Sequence, residues 1–225
     1  MSNLLQVEGL HKYFVEGGKE IHVLKDLDLE LGEGERLAIV GESGVGKSTL
    51  LHILGTLDRP SDGRVIFRGK DLSGFSDAAL SNFRNHQIGF VFQFHYLLPD
   101  FSALENVMLP ALIRGWEWAQ AVKGAGELLE MVGLKDRIRH RPGQLSGGEQ
   151  QRVALARSVV LKPPLILADE PTGDLDPRIA GEVQEILFRL NEEKGVAIVV
   201  ATHNRGFAAK IGQQKELREG RLFLL

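Results

Sequence analysis

Cysteine is absent from all 225 residues, which removes disulfides, thiolate metal sites and thiol nucleophiles together and permits a reducing compartment. A basic surplus is missing as well. The chain carries 27 Lys and Arg against 30 Asp and Glu, a formal charge of −3, whereas a phosphate-backbone binder is strongly positive; no nucleic-acid partner is expected. Long apolar runs are also lacking. Stretches such as Val196 to Ala201 suit buried strands and fall well short of the roughly 20 residues that cross a bilayer. The first twenty residues hold Glu8, Glu16 and Glu20, so no secretory signal is expected. The expectation is a soluble chain, one that can still dock on a membrane protein. What is present is 43% hydrophobic and 25% charged, the balance of a folded domain and not of a disordered or collagen-like chain. At roughly 150 residues per domain, the length suits one domain with an attached lobe.

Alternating segments from Leu4 to Leu10 and from His22 to Leu31, broken by Gly17, Gly18, Gly32 and Gly34, predict antiparallel strands and turns. Arg36 to Val40 reads as a short apolar strand, followed by a glycine-rich turn and a helical stretch from Ser48 to Leu57. Val65 to Phe67 and Ile88 to Phe92 read as further strands. Helical spacing dominates from Ser102 to Leu161, with breaks expected at Pro110, Gly133 and Pro142 to Gly143. Leu165 to Ala168 and Ala197 to Ala201 suit a parallel sheet covered on both faces, with a helix from Ile179 to Glu192 between them. The expected fold is an α/β core with a small antiparallel β subdomain at its start and a helical insertion near the middle. Gly124 and Gly126 each cost about 1 kcal/mol relative to alanine in a helix interior, so a frayed or broken helix is expected there. Trp116 and Trp118 are two apart and do not share a helical face; packing within the lobe is the expectation for both.

Gly41-Glu42-Ser43-Gly44-Val45-Gly46-Lys47-Ser48-Thr49 fits the phosphate-binding pattern G-x-x-x-x-G-K-[ST], between a predicted strand and a predicted helix. Small residues let successive backbone N–H groups face phosphate oxygens at a helix amino terminus, where the partial positive charge favours anions. Lys47 then reaches the β and γ phosphates, and the Ser48 hydroxyl is a Mg²⁺ ligand. Leu165-Ile166-Leu167-Ala168-Asp169-Glu170 is an apolar strand ending in two carboxylates. Ligands collect at the carboxyl ends of parallel strands, which places Asp169 to hold Mg²⁺. Glu170, one residue beyond, is placed to polarise a water for attack on the γ phosphate. In Leu145-Ser146-Gly147-Gly148-Glu149-Gln150-Gln151-Arg152, Ser146 caps the next helix and the two glycines leave its first amides bare, a second anion-binding amino terminus. No N-K-x-D motif occurs, which disfavours a GTPase, and the seven histidines show no H-E-x-x-H spacing for zinc.

On these strings the chain resembles the ATP-binding subunits of ABC transporters, with LSGGEQQR as the signature sequence and LILADEPTGDLD as the Walker B and D-loop segment. The resemblance covers nearly the whole chain. It implies a P-loop NTPase core with a small antiparallel β subdomain and a helical subdomain, in one ATP-binding domain over 1–225. Within it, 1–93 and 162–225 form the core and β subdomain, and 94–161 form the helical subdomain and signature helix. It implies ATP and Mg²⁺, with Gln93 touching the metal and the water and His203 contacting the γ phosphate. Adenine stacking falls to Phe14, with Tyr13 as the alternative and core packing as the competing reading for either. Two copies face head to tail, so that Ser146, Gly147 and Gly148 close on the γ phosphate held by the other copy's Lys47, with Asp174 and Asp176 crossing the interface. Three features depart from the family pattern: Asn204 in place of an acidic residue, Asp174 in place of Asn or Ala, and the Gly124 and Gly126 pair.

Within that family, Gln93 to Asn106 is similar to the ATPases of bacterial lipoprotein-releasing transporters, with the macrolide-export and cell-division ATPases as alternatives. That implies integral membrane transporter subunits as partners and a peripheral place on the cytoplasmic face of the inner membrane. Phe94, Tyr96, Leu97, Leu98 and Phe101, interrupted by His95, Pro99 and Asp100, have the composition of an irregular connector. If exposed, they form an apolar patch of the kind that marks a partner site, and the resemblance makes it the docking surface for a membrane subunit.

Overall fold

In the computed structural model, which describes residues 3–225, the amino-terminal segments are two 14-residue strands, Asn3–Glu16 (β1) and Lys19–Gly32 (β2). They form an antiparallel pair whose register shifts at several bulges. Arg36–Val40 (β3) sends Leu37 and Ile39 into one core and Ala38 and Val40 into another, as a strand of period two buried on both faces must. Lys47–Leu54 (α1) follows. It stops at Gly55, before the expected Leu57. Asp62–Phe67 (β4) and Lys70–Asp71 (β5) complete a four-stranded antiparallel sheet of order β2-β1-β4-β5.

Asp77–Gln87 (α2), a helix absent from the sequence reading, is capped by Ser76 and buries only Leu80. It leads into Ile88–Val91 (β6). The lobe consists of Ala103–Ile113 (α3), Trp118–Met131 (α4) and Gly147–Val159 (α5). Leu165–Asp169 (β7), Pro177–Lys194 (α6), Ala197–Thr202 (β8), Arg205–Ile211 (α7), Gln213–Arg218 (β9) and Arg221–Leu224 (β10) close the chain. The second sheet has the order β10-β9-β3-β8-β7-β6. All its neighbours are parallel except the edge pair β9–β10. Leu165, Leu167 and Val199 face the core shared with the antiparallel sheet and α1. Ile166, Ala168 and Val200 face the core shared with the lobe and α6.

Two expected breaks are not there. Pro110 lies inside α3. Proline forfeits one helical hydrogen bond, yet Val107, Met108 and Ala111 around it are fully buried, and its own carbonyl accepts from Arg114 N–H and Asn85 Nδ2, both at 3.1 Å. α4 runs unbroken through Gly124 and Gly126 because Ala121, Ala125 and Leu129 bury one stripe completely, and packing outweighs propensity. A side chain at Gly124 would press on the Trp116 ring, which packs against the lobe core. Trp118, expected to pack as well, is 60% exposed.

Candidate active site

The loop 41–46 joins β3 to α1. Gly46 has φ of 109° and precedes the first helical residue without any side-chain cap, so the first amides of α1 are free to meet an anion. Lys47 is buried; its Nζ donates to the carbonyls of Gly41 and Glu42 at 2.9 and 3.0 Å and lies 3.8 Å from Glu170 Oε1. A cavity of about 290 Å³ opens here, lined by Val23, Ser43, Gly44, Gly46, Lys47, Ser48, Thr49, Gln93, Asp169 and Glu170. The loop, both carboxylates and Gln93 are therefore brought to one place.

β7 delivers the two carboxylates differently. Asp169 is its last residue, and its Oδ1 is buried with no hydrogen-bond partner among the described residues. Burial pushes the Asp169 carboxyl up, the Ser48 hydroxyl beside it pulls it down, and Glu170 adds to the upward push. An orphaned carboxylate oxygen next to a serine hydroxyl is an all-oxygen set, the kind a hard divalent cation takes. Glu170 adopts φ of 44°, a left-handed conformation costly for a side-chain-bearing residue. Its side chain is held from β8: Thr202 Oγ1 donates to Oε2 at 3.0 Å, and the backbone N–H of His203 donates to Oε1 at 2.9 Å. His203 Nδ1 also lies 2.9 Å from Oε1. Asn204 caps α7 through Phe207 N–H at 2.9 Å. Its carboxamide thus has a local structural task beside the histidine.

Gln93 lies two residues past β6, and its Nε2 donates to both Asp174 oxygens at 3.1 Å. Phe14 is 44% exposed, which excludes core packing for it. It pairs across the hairpin with Ile21, and Lys12 Nζ sits 4.9 Å above its ring. Tyr13 instead lies 5.4 Å from the His22 ring and exchanges backbone hydrogen bonds with Ser61 Oγ.

Ser146, Gly147 and Gly148 do not line this cavity within the same chain. Ser146 Oγ accepts from Glu149 N–H at 3.3 Å, and the Glu149 carboxylate accepts from Ser146 N–H at 2.8 Å, a full capping box. One early amide is thus occupied and not bare. Gly148 is small for a different reason as well: a Cβ there would meet Ile179 Cγ2 of α6 at 2.3 Å. Asp176 caps α6 through the N–H groups of Arg178 and Ile179.

The segment 94–101 is irregular and exposed at Phe94, Tyr96, Leu98 and Phe101, whereas Leu97 packs on the lobe core. Polar side chains that sequence reasoning missed, buried at Asn106 and Gln151 and half-buried at Arg157, hold it in place. Asn106 donates to the carbonyls of Leu98 and Phe101 at 3.1 Å. Arg157 donates to those of His95 and Tyr96 at 2.7 Å. The fully buried Gln151 donates to the carbonyls of Phe92 and Pro171 at 3.3 and 2.7 Å and contacts His95 Nδ1 through its own oxygen. Arg157 and Gln151 reach partners 20 to 62 positions away, so periodicity and motif spacing carry no signal for them, whereas Asn106 stands five and eight positions from the carbonyls it holds.

The family described as ABC transporter matches residues 24–173. The lipoprotein-releasing system ATP-binding protein LolD of Geobacter metallireducens is 55% identical and covers 99% of this chain and of itself. The protein of the same description from Syntrophus aciditrophicus is 50% identical over 97% of this chain and 98% of itself. Among solved structures, a dimeric ATP-binding cassette in a post-hydrolysis state bound to ADP and Pi superposes with a TM-score of 0.91 at 39% identity, covering 97% of this chain and 96% of that one.

Proposed function

The chain belongs to the ABC transporter family, and on that premise we propose that it is the ATP-hydrolysing motor subunit that powers release of lipoproteins from the bacterial inner membrane. ATP is the substrate, and two copies close around it. One observation carries the dimeric reading: Lys47, Asp169, Glu170 and Gln93 line one cavity while Ser146 to Gly148 of the same chain stay outside it. The missing wall comes from a second copy.

In this reading the phosphates lie on the free amides of α1, and Lys47 exchanges its main-chain carbonyl partners for them. Ser48, Asp169 and Gln93 would hold Mg²⁺, which when bound neutralises charge on the β and γ phosphates. Glu170 orients the water and takes its proton as the water oxygen bonds to the γ phosphorus and the bond to the ADP oxygen breaks. Thr202 and the His203 N–H keep the carboxylate aimed, and the His203 ring contacts the γ phosphate. Phe14 supplies a face for adenine. The chain sits peripherally on the cytoplasmic face of the inner membrane, docked to integral transporter subunits through 94–101. No helix among the described residues is long and apolar enough to cross a membrane, which suits that arrangement.

The test is complementation between two defective chains. Lys47→Ala removes the phosphate grip and Ser146→Arg blocks the signature, so a mixed dimer keeps one intact composite site. ATP hydrolysis by the mixture should exceed the sum of the separate variants. Hydrolysis equal to that sum would refute the composite site.

A further inference from the structure

Gln93 presents two chemically different ends, an NH₂ that only donates and a carbonyl that only accepts. Its NH₂ is bound to the Asp174 carboxylate, with both oxygens 3.1 Å from Nε2. An ionised carboxylate accepts and cannot donate, so this contact admits one orientation of the amide only. The carbonyl oxygen is left for the cavity that Gln93 shares with Ser48 and Asp169.

We propose that Asp174 is a positioning residue for the reaction: by holding the Gln93 nitrogen, it turns the Gln93 oxygen toward the divalent cation.

Asp174 is well placed for this because its own backbone is pinned on both sides. Gly173 N–H donates to the Glu170 carbonyl at 3.1 Å, Leu175 N–H to the Thr172 carbonyl at 3.4 Å, and Asp176 caps α6. Gln93, by contrast, stands in an irregular loop past β6, where Gln151 holds the neighbouring Phe92 carbonyl but not the Gln93 side chain. The rigid turn therefore orients the looser side chain. Partners that orient a metal ligand typically change metal affinity 10- to 100-fold when removed. The inference rests on the reading that Gln93 is a metal ligand, and the experiment separates the two.

Mn²⁺ binding to the ATP-loaded Glu170→Gln protein would be followed by electron paramagnetic resonance, with ATP binding in EDTA measured alongside. Asp174→Ala should weaken Mn²⁺ binding about 10-fold or more and leave metal-free ATP binding unchanged. Asp174→Asn, which keeps an acceptor, should stay within about threefold of the parent. Asp174→Ala added to Gln93→Ala should do nothing further, because the residue acts through Gln93. Parent-like Mn²⁺ binding in Asp174→Ala, with Gln93→Ala weakened, overturns the proposal alone. Parent-like binding in Gln93→Ala overturns the metal-ligand reading and the proposal with it. Loss of metal-free ATP binding in both Asp174 variants assigns the residue to folding and also overturns the proposal.

Discussion

The guanidinium of Arg157 donates to the main-chain carbonyl of Tyr96 at 2.7 Å, and to that of its neighbour His95 at the same distance. Arg157 sits on α5, the helix that begins at the signature residues, whereas Tyr96 is on the exposed segment. One side chain thus ties the face read as the docking surface to the helix read as closing on the other copy's nucleotide. Burial lowers the Arg157 pKa.

Arg157→Met keeps the apolar stem and deletes both bonds, leaving the two carbonyls without this partner. A loss of about 1–3 kcal/mol in urea unfolding is expected. Amide exchange should rise across 92–101 before it rises in β7 or β8. Unchanged exchange in that segment would show that the tie is dispensable.

Tyr96→Ser with Leu98→Ser removes two exposed apolar side chains that do not build the core. Release of lipoprotein by the membrane complex should fall while hydrolysis by the isolated subunit stays near wild type. Unfolding of this double variant, or normal assembly with the membrane subunits, would each count against the docking role.

The amino terminus of α3 gives a pH dependence. Ser102 donates to Glu105 through both its hydroxyl and its N–H, at 2.7 and 2.8 Å, and the hydroxyl bond first, the backbone bond second, hold the Glu105 carboxyl below its ordinary value. The folded state therefore binds fewer protons than the unfolded one near that value. Stability from this group is present above the ordinary glutamate range and is lost as pH falls through the lowered one. Acid unfolding curves should be shallower for Glu105→Gln than for wild type; parallel curves would contradict the assignment.

Much of the architecture is legible in the chain because its signals are local. The loop 41–46 stands between a strand and a helix as its spacing demands, and the unbroken apolar runs of β7 and β8 mark strands buried on both faces. Where cohesion comes from tertiary packing, local rules mislead: α3 absorbs Pro110 and α4 absorbs two glycines on the strength of buried stripes. α2 escaped notice because its sequence is polar and it buries a single leucine. The Gln93–Asp174 bond joins residues 81 apart, and Thr202, Gln151 and Arg157 act across 20 to 62 residues. No spacing rule reaches them.

Glu170→Gln keeps the shape of the side chain and removes its capacity to take a proton. A positioned base contributes about 10²- to 10⁴-fold, so turnover should fall by that order while ATP still binds. Wild-type turnover would remove Glu170 from the chemistry.

The composite site is tested most directly by light scattering on the Glu170→Gln protein with ATP and Mg²⁺. The mass should double on adding ATP and return to that of one chain when Ser146→Arg is introduced, with nucleotide binding retained in both. A mass that stays at one chain with ATP bound, or a dimer indifferent to Ser146→Arg, would contradict a site shared between two copies.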